Sequence, residues 1–89
     1  MPIPHYAAIR DKNEQEIIDA LISAGATVYQ LGAPCDLVVG FKDRNYLIEV
    51  KTPGGRLTAK QRRWWSSDWA GQRAIVRNAQ EALVAIGAV

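Results

Sequence analysis

Cysteine is almost missing from this chain, and so are long apolar runs and any strong excess of one charge. The single cysteine, Cys35, can neither close an intrachain disulfide nor build a multi-cysteine zinc site, which suits a reducing compartment. No apolar stretch approaches the length of a membrane span and no signal-peptide pattern is present, so a cytoplasmic protein is expected. The net charge of +2 is only mildly basic. It permits contact with phosphate without by itself arguing for nucleic acid. Repeats and low-complexity tracts are absent, and 48% hydrophobic with 22% charged residues excludes a disordered chain. The 89 residues make one domain, 1–89. A chain this short buries only roughly 60–65% of its unfolded surface, which leaves stability marginal unless two copies share a core.

The chain alternates short elements. Ile17, Ile18, Leu21 and Ile22 recur at helical spacing and predict a helix over 12–24, stopped by Gly25. A strand is predicted over 27–31, and two apolar runs, 36–40 and 46–51, make two more around a polar turn at 42–45. Thr52-Pro53-Gly54-Gly55-Arg56 is a loop. Thr58 and Gln61 form a Thr-x-x-Gln capping box opening a helix that runs to about Trp69. A strand around Ala74-Ile75-Val76 and a last helix, capped by Asn78 with Glu81 and closed by Gly87, complete the order α-β-β-β-α-β-α.

Asp36 on one run and Glu49-Val50-Lys51 on the next are the residues that packing does not explain. Alternation along a strand puts Leu47, Glu49 and Lys51 on one face and Ile48 and Val50 on the other. Pairing the two runs brings Asp36 opposite the Glu49–Val50 region. Converging carboxylates repel each other unless a cation sits between them, and a hard divalent ion takes oxygen ligands. Taken alone, a Glu-x-Lys is an ordinary solvated edge; the acid a hairpin's length upstream changes that reading.

This arrangement resembles the active site of the PD-(D/E)xK nuclease superfamily, and the chain is most similar to small stand-alone VRR-NUC domains of phage and bacterial genomes. The matching segments are Asn13-Glu14 opening the first helix, Gly32-Ala33-Pro34-Cys35-Asp36-Leu37, and Tyr46-Leu47-Ile48-Glu49-Val50-Lys51. A glycine-rich loop follows, then Leu57-Thr58-Ala59-Lys60-Gln61, Trp69-Ala70-Gly71 and Glu81-Ala82-Leu83. Cys35 interrupts the literal Pro-Asp pair. The resemblance implies a restriction-endonuclease-like α/β fold, with a mixed central sheet flanked by helices. It also implies a metal-dependent DNA endonuclease holding one or two Mg²⁺ (Mn²⁺ substituting) through Asp36, Glu49, the Val50 carbonyl and Glu14. Lys51 would stabilise charge building on the phosphate, and Gln61 would orient it. On the residues alone, Glu14 lies on the apolar helix face, where the helix dipole also favours an acid. Gln61 alone is the capping partner of Thr58, and the two roles compete for one side chain.

Lys60, Arg62 and Arg63, with Arg56 and Lys42, are candidates for a basic rim along the cleft. Each is equally at home on a solvated face. Trp65 and Trp69, four apart, are expected to pack in the core, with one of the three tryptophans at a subunit interface; His5 reads as surface. The expected function is a structure-selective nuclease acting on branched DNA or Holliday junctions as a homodimer, in a bacterial or phage-infected cytoplasm. The alternatives are a single-strand or flap nuclease subunit of a larger machine and a non-catalytic DNA-binding module.

Overall fold

A two-residue turn sets the register of the sheet. In the computed structural model, which describes residues 12–32 and 35–89, Lys42 and Asp43 take φ values of 50° and 65°. Positive φ at both central positions is the backbone of a type I′ hairpin, whose twist matches that of its strands. It joins strand β2 (Leu37–Phe41) to β3 (Arg44–Val50) with Phe41 opposite Arg44 and Leu37 opposite Ile48. The turn is thus tighter than the expected 42–45, and Arg44 and Asn45 belong to β3. His5, Ala33 and Pro34, read above from sequence, lie outside the described residues.

Strand β1 (Thr27–Gln30) pairs antiparallel with β2. Strand β4 (Arg73–Val76) pairs parallel with β3, giving a four-stranded mixed sheet in the order β1-β2-β3-β4. Helix α1 (Lys12–Ser23) and helix α3 (Ala79–Ala85) pack on each other and on one face of the sheet. There Ile17, Ile18, Leu21, Leu37, Val39, Ile48, Val76, Ala82 and Ile86 form the core. Both helices end in the same way. Gly25 and Gly87 take φ of 100° and 76°, and the following amides, of Ala26 and Ala88, reach back to the carbonyls of Leu21 and Leu83. This closing turn needs a residue free to adopt positive φ.

Helix α2 (Ala59–Arg63) lies on the other face, since Gln61 bonds to Glu49 and Arg73 Nε donates to the Trp65 carbonyl. Among the described residues the mixed α/β fold therefore follows the expected element order, α-β-β-β-α-β-α. One element departs from expectation. After Arg63 the chain makes a π-helical turn, Trp64–Asp68, in which the Trp69 amide donates to the Trp64 carbonyl at 3.2 Å. The wider turn breaks the four-residue spacing of Trp65 and Trp69. Trp65 is 7% exposed, but Trp69 is 40% exposed and stacks on Trp64 instead of entering the core.

Candidate active site

Asp36 sits one residue before β2, and the register Leu37 opposite Ile48 carries it alongside Glu49. Its Oδ2 accepts the Val50 amide at 2.8 Å. The acid thus closes the open end of the hairpin and faces the Glu49 carboxylate. Glu49 is 5% exposed. Lys51, the next residue on the same side, lies 3.5 Å from Glu49 Oε2 through its ammonium. The expected convergence of Asp36, Glu49 and Lys51 is the arrangement found.

Gln61 joins this group from the opposite element. Thr58, with extended backbone at the N-cap of α2, receives the Gln61 amide on Oγ1 at 3.1 Å, and the Thr58 amide donates to Gln61 Oε1 at 2.9 Å. The same Oε1 accepts from Lys51 Nζ at 3.1 Å, while Gln61 Nε2 donates to Glu49 Oε2 at 3.3 Å. The capping bond and the bond to Lys51, which compete for one side chain in the sequence reading, are both made, because a carbonyl oxygen has two lone pairs and the amide nitrogen is still available to donate.

The electrostatics of the pair follow from this geometry. Burial pushes the Glu49 carboxyl up from its ordinary 4.5 to about 7, and the negative charge of Asp36 adds to the rise; Lys51 pulls the other way. Burial also pushes the Cys35 thiol up, to about 11, with smaller contributions from Glu49 and Asp36. Cys35 stays a protonated thiol whose Sγ donates to the Leu37 carbonyl. Beside Asp36 it is a buried apolar neighbour and supplies no thiolate.

The first turn of α1 lies over this end of the sheet. Asn13 Nδ2 donates to the carbonyls of Lys51 at 3.3 Å and Arg77 at 3.1 Å, tying the chain just beyond β3 to the chain just beyond β4. Glu14, the next residue, is 4% exposed. Among the described residues no group of three Asp, Glu, His or Cys side chains that could hold a metal ion is formed. Arg77 was not anticipated: its Nη1 donates to the carbonyls of Thr52 at 2.8 Å and Gly55 at 3.0 Å and so holds the loop after Lys51. Nothing local in the sequence signals that contact, which depends on the parallel pairing of β3 and β4. Asn13 carried a signal only through its place beside Glu14.

Of the basic residues, Lys60, Arg62 and Arg63 are exposed on α2, the helix that delivers Gln61, and Arg56 is exposed on the loop before it. Lys42 lies elsewhere. It occupies the hairpin turn, where its ammonium sits 5.3 Å from the centre of the Phe41 ring. At about 3.3 Å per residue, the strand from Arg44 to Glu49 puts roughly 17 Å between that turn and the carboxylates. The expected contribution of Lys42 to a rim is therefore not met: the hairpin points it away from the site. A broad groove along β4, lined by Arg44, Tyr46, Trp65, Arg73, Val84 and neighbours, contains no acid and lies apart from this chemistry.

Compared with known proteins, the chain matches no family model, no curated protein and no solved structure. The donor chemistry itself fits a hard divalent cation. Burial first, and then the nearby charge of Asp36, raise the Glu49 carboxyl pKa. A single ammonium only partly offsets the two carboxylates, and their oxygens are the ligand type such an ion takes. One oxygen of each is already engaged, Asp36 Oδ2 by Val50 and Glu49 Oε2 by Gln61 and Lys51.

Proposed function

We propose that this chain is a metal-dependent DNA endonuclease of the PD-(D/E)xK kind, hydrolysing phosphodiester bonds where β2 starts and β3 ends. The observation that carries this reading is the closed group of Asp36, Glu49, Lys51 and Gln61, in which an acid pair faces an ammonium held by a helix cap. A structural ion pair needs one acid for one base. The second acid closes the hairpin end through the Val50 amide, but its charge beside Glu49 raises the energy of the group, a cost that an added cation would relieve.

Asp36 and Glu49, with the Val50 carbonyl, would hold Mg²⁺ or Mn²⁺, one ion or two. When bound, such an ion polarises the scissile phosphate and makes water a better nucleophile. Lys51 would lend its charge to the phosphate as negative charge accumulates in the transition state. Gln61 keeps the ammonium at its post and shares a hydrogen bond with Glu49. The finer expectation, a homodimer selective for four-way junctions, draws on the VRR-NUC resemblance.

The test is cleavage of labelled single-stranded, duplex, flap and junction DNA with Mg²⁺ or Mn²⁺. Native protein is compared with Lys51→Ala and Asp36→Asn. Metal-dependent cutting lost in both variants supports the reading. A native chain that binds DNA and cuts none of these would be a binding module, and cutting that survives both substitutions would move the active site elsewhere.

A further inference from the structure

The aromatic cluster after α2 has no role in the hydrolysis described. Trp64 and Trp69 stack with ring centres 5.7 Å apart and planes 14° from parallel. Trp65 meets Trp64 edge-on at 5.1 Å and is buried beneath. Trp69 nevertheless keeps 40% of its surface exposed. A lone exposed tryptophan is ordinary, but this one is held in place from three sides. The π-helical turn brings residue 69 back over residue 64, and its Nε1 donates to the Gln72 carbonyl at 3.4 Å. Gly71 completes the seat, for a Cβ there would fall 2.9 Å from the indole atoms. The local backbone fixes the Trp69 ring in a position where part of its surface stays open to solvent, and π-turns of this kind concentrate at functional positions.

The surroundings say what would cover it. Lys60, Arg62 and Arg63 are exposed on the five-residue helix α2, which carries no acid; Asp68 is the one acid on the adjoining turn. Trp64 is three residues from Gln61, and residues three apart on a helix are neighbours, about 5–6 Å between Cβ atoms. The stack therefore stands one helical turn from the side chain that holds Lys51 and Glu49. A second copy of the chain is a poor occupant, because a two-fold contact sets the same patch against itself and would oppose two sets of these cations. A polyanion with flat faces fits both the charge and the rings.

We propose that the Trp64–Trp69 pair is a stacking platform for an unpaired base, so that the chain engages DNA that is single-stranded beside the phosphate placed at Asp36 and Glu49. This names the substrate class and rests on the nuclease reading for the fate of the strand. A base inside a duplex already stacks on its neighbours and cannot cover the ring. A splayed base can, and base–aromatic stacking is indifferent to sequence.

The decisive measurement is binding of the native chain in EDTA to a single-stranded oligonucleotide carrying 2-aminopurine, and to a blunt duplex of the same sequence. Trp69→Ala and Trp69→Phe are measured alongside. Native protein is expected to quench 2-aminopurine in the single strand. Trp69→Ala should weaken single-strand binding about tenfold, the loss of one stack, with duplex binding unchanged and Trp69→Phe close to native. Equal single-strand affinity in native and Trp69→Ala protein overturns the platform. So does a native chain that binds no single strand, or a Trp69→Ala chain that only loses self-association in sedimentation. If Trp69→Ala does not fold, quenching by the native chain decides: its presence with Trp69→Phe binding retained supports the platform, its absence ends it. Because no metal is present, a chain that stacks DNA but never cuts it keeps the platform and loses the nuclease reading, while metal-dependent cutting with unchanged Trp69→Ala affinity does the reverse.

Discussion

Gln61 Oε1 lies 3.1 Å from the ammonium of Lys51 and, with its second lone pair, 2.9 Å from the amide of Thr58. The atom that starts helix α2 is therefore the atom that holds the lysine. A helix cap is ordinarily a local device worth about 1 kcal/mol. Here it also transmits the position of α2 to the site, and through Nε2 to Glu49.

Substitutions at Gln61 separate the two duties. Gln61→Ala removes both and should cost about 1 kcal/mol of stability, while misplacement of Lys51 should slow cleavage by on the order of a hundredfold. Gln61→Glu keeps an acceptor for Thr58 and for Lys51, so its thermal midpoint should stay near native. It replaces the donor beside Glu49 with a second negative oxygen, which favours the protonated form of Glu49 and should move the pH–rate profile upward. Thermal melts and a pH series of cleavage rates check both; a Gln61→Glu protein cutting like native at every pH would show that Gln61 only caps.

The raised carboxyl of Glu49 gives stability a definite pH dependence in the metal-free protein. Between the ordinary value of 4.5 and about 7 the folded chain holds a proton that the unfolded chain has released. Stability therefore falls as pH rises through that window and is level above it, by up to about 3 kcal/mol. Glu49→Gln should abolish the slope and leave the protein more stable than native at pH 8 while ending cleavage. Mg²⁺ should reverse the sign for native protein only, stabilising it more at pH 8 than at pH 6, since the ion competes with the proton. Urea melts at several pH values, with and without Mg²⁺, measure all of this.

The paired carboxylates and the lysine were legible because a β-hairpin converts sequence separation into distance by a simple rule: strands of period two, folded about one turn, put Asp36 beside Glu49. Helix α1 and the capping box of α2 were legible for a similar reason, since their signals are local. What could not be read depended on contacts across the sheet. Arg77 reaches Thr52 and Gly55 only because β4 runs parallel to β3. The π-turn at Trp64–Asp68 has no periodicity signal of its own, so Trp69 was expected on the same face as Trp65 and is found stacked on Trp64. Lys42 is near the other cations in the sequence pattern, whereas the tight turn at Lys42-Asp43 sends it to the far end of the hairpin.

Asp36 is open to a cleaner dissection than Glu49. Asp36→Asn keeps an acceptor for the Val50 amide and removes the charge that helps hold up the Glu49 pKa. Folding at pH 8 should be unharmed or improved, and cleavage should drop by about a hundredfold or more. Asp36→Ala loses the acceptor as well and should cost about 1 kcal/mol. If both variants lose the same stability, the Val50 bond does not close the hairpin end as argued. Denaturant midpoints beside cleavage rates give the comparison.

The hairpin tip tests where the site ends. Lys42 and Asp43 both hold positive φ, a conformation that costs residues with a Cβ and suits an Asn-Gly pair. The double substitution Lys42→Asn with Asp43→Gly should raise stability by about 1 kcal/mol. Because the tip stands roughly 17 Å of strand from Glu49, the same double variant should cut DNA at the native rate and lose no affinity for it. A gain in thermal midpoint with unchanged cleavage confines the DNA path to the side of the sheet that carries α2. Weaker DNA binding, with a smaller dependence on salt, would instead return Lys42 to the phosphate-contacting set, because each neutralised phosphate adds close to one unit to the salt slope.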